Sequence, residues 1–179
     1  MKKIIGFLLA VSMCMGLVCM PAMAADTIEG PVHEVMVVDE IETRAETAPT
    51  DFYNLGGDNN YTGTLTDLAA GKGSYTKCYF ATGTGNIYVK LDLERSGTTT
   101  NKSRTLNVVL YEKAKASSIG VEKDTKTVTF EEAETTRRVS FSGLDPNKFY
   151  YINFYNDSGD KPSSSLDISA TALIDDTYN

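Results

Sequence analysis

The groups in this 179-residue chain whose types and spacing could do chemistry are carboxylates and tyrosines. Its one histidine is His33, and its three cysteines are Cys14, Cys19 and Cys78. Nucleophilic catalysis needs a serine or cysteine beside a base that a third group holds in place. His33 stands in an acidic stretch that buries too little to hold such a geometry, so Ser-His-Asp and Cys-His sites are not expected. A zinc site of histidine and cysteine lacks ligands. No Gly-x-Gly-x-x-Gly or Walker sequence opens a helix.

Asp92 and Glu94 are the best-spaced acids, two residues apart and so on one side of a strand. A glycoside hydrolase would use two carboxyls about 5 to 9 Å apart. It would also need surroundings that raise one pKa, and the sequence shows none, so the pair reads as a solvated strand face. Asn156-Asp157-Ser158-Gly159-Asp160 sets oxygens around a glycine, with Asp157 and Asp160 as calcium candidates. Gly57-Asp58-Asn59-Asn60 is similar. No glutamate closes either loop in EF-hand fashion, and Asx-rich turns are common without metal. No other cofactor is expected.

Tyr151 and Tyr155 flank Asn153 on what reads as the outward face of one strand, and Tyr88 and Tyr111 point outward on theirs. Exposed aromatics at this spacing, roughly 13 Å at ~3.3 Å per residue, suit stacking on separate sugar rings. Asn153 between them would orient a sugar by hydrogen bonds. The structural alternative is cross-strand tyrosine packing. Cys78, with Thr76 and Phe80, reads as a small buried hydrophobe.

The elements that must position these groups are strands. Val139 and Phe141 alternate with polar residues up to a Gly143–Lys148 corner. Tyr150, Ile152 and Phe154 then alternate with Phe149, Tyr151, Asn153 and Tyr155. Further strands are predicted over Tyr61–Leu68, Ser74–Thr82, Asn86–Glu94, Arg104–Glu112, Lys126–Glu131 and Leu166–Ala172, with a short irregular one in Ser117–Glu122. Asn86–Glu94 alternates most cleanly, Ile87, Val89, Leu91 and Leu93 against Tyr88, Lys90, Asp92 and Glu94, as antiparallel strands with one wet face do. No helical periodicity follows residue 24. About eight short strands separated by turns predict an all-β, antiparallel β-sandwich, Ig-like or jelly-roll-like.

Residues 1–24 read as a signal peptide of bacterial look. Lys2 and Lys3 precede an apolar run, Pro21 ends it, and Ala22-Met23-Ala24 forms a cleavage site before Ala25. The run is short for a membrane span, and no later stretch would cross a membrane. Cleavage between Ala24 and Ala25 leaves fifteen basic against 24 acidic residues, a net charge of −9, with Cys78 the one remaining cysteine. Nucleic acid and anionic membranes are poor partners for such a chain, and no internal disulfide is possible. Residues 25–50 carry seven acids against Arg44 and read as a solvated acidic leader, in which Val35–Val38 could add an edge strand. Residues 51–179 form the domain.

Gly143-Leu144-x-Pro146-x-x-x-Tyr150-x-Ile152-x-Phe154 resembles the E–F corner of fibronectin type III sandwiches, in which a buried tyrosine bonds back to upstream backbone. The resemblance implies a structural role for Leu144, Pro146 and Tyr150. The wider strand layout also resembles pre-peptidase C-terminal accessory domains of secreted bacterial enzymes. Neither family implies a catalytic residue. Together these features predict a secreted, extracellular, non-catalytic binding or structural module whose partner is an extracellular protein or a polysaccharide. The alternatives are a carboxylate-dependent glycoside hydrolase and a self-associating extracellular structural protein.

Overall fold

The computed structural model describes residues 33–34, 36–38, 49–56, 59–159 and 163–178, with backbone alone for 33–34, 36–38 and 163–164. The predicted cleavage residues Ala24 and Ala25, and the calcium candidate Asp160, lie outside the described residues. Twelve strands form two sheets, β1 His33–Glu34, β2 Met36–Val38, β3 Asp51–Leu55, β4 Tyr61–Ala70, β5 Gly73–Tyr75, β6 Cys78–Thr82, β7 Asn86–Arg95, β8 Arg104–Lys113, β9 Val121–Phe130, β10 Glu134–Ser142, β11 Phe149–Asn156 and β12 Ser163–Asp175. The chain is an all-β sandwich with no helix among the described residues.

The first sheet runs β1-β4-β12-β7-β10. In the second, β11 is central, with β8 and then β9 on one side and β5 and β6 on the other. Strands β2 and β3 cover β5 and β6 in turn. Pairing is antiparallel except at β1–β4 and β3–β6, so the expectation of a purely antiparallel sandwich holds for the body and not for these two short strands. Met36–Val38 of the acidic leader pairs with β5.

Alternation explains the core. Ile87, Val89, Leu91 and Leu93 of the first sheet face Leu106, Val108, Leu110, Tyr150, Ile152 and Phe154 of the second. Cys78 is buried in this layer, where burial first and the nearby Asp51 charge second push its thiol up to about 11. The predicted Ser74–Thr82 strand is broken into β5 and β6 at Thr76, which mends the break. Its N–H donates to the Ile152 carbonyl at 2.9 Å, and its hydroxyl accepts from the Ile152 N–H at 3.2 Å. The two pieces expected at Ser117–Glu122 and Lys126–Glu131 are one strand, β9, at the sheet edge.

The Gly143–Lys148 corner is closed by its tyrosine. The buried Tyr150 hydroxyl accepts from the Asp145 N–H at 2.9 Å and lies 3.2 Å from the Asp145 carbonyl, to which it donates. Leu144 is buried and its N–H donates to the Gly85 carbonyl at 2.9 Å, while Pro146 is exposed on the turn. Gly85 has φ +73°, and a Cβ there would stand 2.9 Å from the Leu144 carbonyl, so both conformation and space call for glycine.

Candidate functional site

The outward face of β11 differs from its sequence reading. Tyr151, Asn153 and Tyr155 do point away from the core, but Tyr151 is 1% and Asn153 3% exposed, and Tyr155 is half-buried. Tyr111 of β8 stacks on Tyr151 at 5.0 Å and 4°, and Tyr75 of β5 meets it at 5.9 Å. The β8–β9 connection lies over the ring so closely that a Cβ on Gly120 would stand 2.4 Å from it. The platform of Tyr151, Asn153 and Tyr155 is therefore corrected. Alternation fixes which way a side chain points, but neighbouring aromatics and a loop cover Tyr151, and Asn153 is buried as well, so these two offer no open surface to a sugar. Burial, with Tyr75 beside it, holds the Tyr151 hydroxyl at about 12 against an ordinary 10. Raised acid pKa values mean that the neutral form is favoured on folding. This share of stability is whole below pH 10 and lost as pH rises through about 12. Spectrophotometric titration should show tyrosine ionisation and unfolding together in that window; ionisation complete near pH 10 in the folded protein would contradict the packing.

Asp157 is exposed and its carboxylate accepts from the Asn107 amide at 3.4 Å. Among the described residues no group of three or more histidine, cysteine or acidic side chains could hold a metal ion.

The open polar surface lies on the other sheet. Tyr88, Lys90, Asp92 and Glu94 face outward on β7. Register sets Ser140, Arg138, Thr136 and Glu134 of β10 beside them on one side, and Asp175, Leu173, Thr171 and Ser169 of β12 on the other. Thr62 and Thr64 of β4 continue the row beyond β12. Three hollows follow this face. One of about 280 Å³ lies at Tyr88 and Tyr178, one of about 560 Å³ at Asp92, Glu94 and Glu134, and one of about 250 Å³ at Thr64, Glu94 and Thr171. Tyr88 to Glu94 spans roughly 20 Å at ~3.3 Å per residue.

Asp92 stands mid-trough, accepting from the Thr136 hydroxyl at 2.6 Å and from Lys90 Nζ at 3.3 Å. The Thr136 bond, then Lys90 and Arg138, hold its carboxyl below the usual range. Asp92 is thus a fixed anionic acceptor rather than a proton donor, the reverse of what a general acid needs. At the Tyr88 end, that ring meets Tyr178 edge to face at 5.5 Å, and the Arg138 guanidinium lies 5.6 Å over the Tyr178 ring. Hydroxyls, carboxylates and aromatic faces in a row can hydrogen-bond and stack along a polyhydroxylated chain.

Of the residues singled out in the sequence, Tyr88, Asp92 and Glu94 come together here. Thr136, Arg138, Thr171 and Tyr178 were missed. Their signal was present in the alternation of polar residues along β10 and β12, but which strands lie beside β7 is set by pairing.

No protein-family model matches the sequence, and no curated protein matches it. Among solved structures the chain is similar to one described as "CBM4 structure and function", at 12% identity and TM-score 0.35 over 68% of this chain and 70% of that one. It is similar to the N-terminal CBM22-1–GH10 modules of Clostridium thermocellum endo-1,4-β-D-xylanase 10B complexed with xylohexaose, at 13% identity and TM-score 0.42. That match covers 69% of this chain and 25% of the other. The family 11 carbohydrate-binding module of Clostridium thermocellum, in complex with a β-1,3-1,4-mixed-linked tetrasaccharide, gives 13% identity and TM-score 0.34 over 82% and 94%. The likeness is one of overall β architecture.

Proposed function

We propose that the chain is a secreted, non-catalytic module that binds a polysaccharide along the outer face of the β1-β4-β12-β7-β10 sheet. The observation that carries this reading is the trough, the row of three hollows on this face lined by Tyr88, Asp92, Glu94, Thr136 and Thr171. Linear glycans offer hydroxyls at every unit, and the Thr and Asp92 groups are matched to them. The non-catalytic part rests on the sequence, whose one histidine, His33, lies outside residues 51–179. An extracellular protein partner is the second reading, favoured by the exposed Phe52, Ile119 and Val121 outside this trough.

Thr171 is exposed at mid-trough on β12, so Thr171→Arg fills the groove without disturbing the core. Affinity electrophoresis in gels of soluble plant and cell-wall polysaccharides, with and without calcium, should show retardation of the wild type. The variant should be at least about tenfold weaker, a loss of roughly 1.4 kcal/mol, with melting unchanged within a few degrees. Wild-type mobility unaffected by every polysaccharide would remove the glycan reading.

A further inference from the structure

The trough is not uniform in charge, and the unevenness names a ligand chemistry. Its middle is acidic, with Asp92, Glu94 and Glu134 lining the largest hollow. Lys90, which lines the hollow at Tyr88, pairs with Asp92 at 3.3 Å. Arg138 differs. Among the described residues no carboxylate lies within ion-pair distance of its guanidinium. It is exposed on β10, beside a hollow of about 280 Å³ walled by Tyr88 and Tyr178 and lined by Leu173 and by Val89 and Val139, whose side chains turn to the core. The one acid of that hollow, Asp175, is buried, and its Oδ1 accepts from the Asp176 N–H at 2.7 Å and the Thr177 N–H at 3.2 Å. That carboxylate closes its own turn. The hollow therefore combines the Leu173 side chain, aromatic walls and a planar cation that lies over Tyr178 and forms no ion pair among the described residues, and whose fork matches a carboxylate in two parallel hydrogen bonds.

Resting on the polysaccharide reading above, we propose that this hollow is a subsite for a sugar unit bearing a carboxylate, carried as a sparse or terminal substituent on an otherwise neutral glycan. The ring packs against Tyr88 and the carboxylate pairs with Arg138. The sparseness follows from the rest of the trough. A polyanion would lay successive carboxylates against Asp92, Glu94 and Glu134, where like charges repel. A neutral chain with one acid unit brings its single charge to the hollow where Arg138 and Lys90 outnumber the buried Asp175.

Two sources carry such a unit, a uronic-acid side group and a terminal sialic acid, and paired probes separate them. Binding is measured for glucuronoxylan and the same polymer with its carboxyls reduced to alcohols, for a sialylated glycoprotein and its sialidase-treated form, and for polygalacturonate. The wild type should bind one native member about tenfold or more tighter than its uncharged partner, as a charge-assisted bidentate pair does. The difference should shrink as salt is raised. Arg138→Gln, at an exposed position, should melt like the wild type and bind both members of that pair equally, at the level of the uncharged one. Arg138→Lys should recover part of the preference. Equal wild-type binding to the native and uncharged members of both pairs would overturn the carboxylate subsite while leaving the trough reading standing. Tightest binding to polygalacturonate would overturn the sparse-substituent argument. Binding to no probe and to no neutral polysaccharide would overturn the parent reading, and the subsite with it.

Discussion

Replacing Tyr150 with alanine should lower unfolding free energy by about 3–5 kcal/mol, the range for truncating a large buried aromatic. The ring is fully buried in the core cluster that also holds Leu144 and Phe80, and its hydroxyl both accepts from the Asp145 N–H and donates to the Asp145 carbonyl. Tyr150→Phe keeps the ring and removes those two contacts. It should cost roughly 0.5–1.5 kcal/mol, with an added penalty for the abandoned Asp145 N–H. Urea unfolding of the three proteins, with equal slopes, measures both steps. A phenylalanine variant as unstable as the alanine one would mean that the hydroxyl, not the packing, holds the corner. An alanine variant within about 1 kcal/mol of wild type would show that the corner is held elsewhere.

Arg104→Met should cost a comparable amount, roughly 3–5 kcal/mol, by breaking a buried charged network. Arg104 is 0% exposed. Its guanidinium donates to the carbonyls of Asp167 at 3.2 Å, Lys102 at 2.8 Å, Ser96 at 3.1 Å, Thr99 at 2.6 Å and Ser165 at 3.4 Å. One side chain thereby fastens the β7–β8 connection to β12. Methionine fills much of the volume but leaves the carbonyls without their donor, and a buried acceptor so stranded is costly. Arg104→Lys retains charge without the planar fork and should fall between the two. Thermal melting of the methionine variant within a few degrees of wild type would show that water replaces the network.

How much of this was legible in the sequence depended on which face of a strand was wet. Strand β7 was plain because its inward residues are all aliphatic and its outward ones polar. Strand β3, Asp-Phe-Tyr-Asn-Leu, was missed: it pairs in parallel along β6, with Phe52 outside at 44% exposure and Tyr53 inside, so its alternation sets apolar against apolar. Strand β9 looked like two fragments because its N-terminal half is solvated on both faces, with no buried residue before Val128. The misjudged Tyr151 has another cause. The sequence gives the direction of a side chain, whereas its cover comes from Tyr75, 76 residues upstream, and from the Gly120 turn. The trough escaped for the same reason. Asp92 and Glu94 were visible as a wet pair, but Thr136, Arg138 and Thr171 join them only once β10 and β12 have paired with β7.

The order of those pairings bears on how the chain is made. The central strand of one sheet is β12 and of the other β11, and they are the last two strands in sequence. Neither β4 nor β7 has its shared neighbour, and β8 lacks its link to β5 and β6, until Phe149–Asp175 is present. A nascent chain leaving the ribosome therefore carries edge strands waiting for their middles. Neither sheet is complete without Phe149–Asp175, because non-local pairings repay loop closure only when both partners are there. Until that stretch is present the β7–β10 and β8–β9 pairs are two separate pieces, each with an unpaired edge.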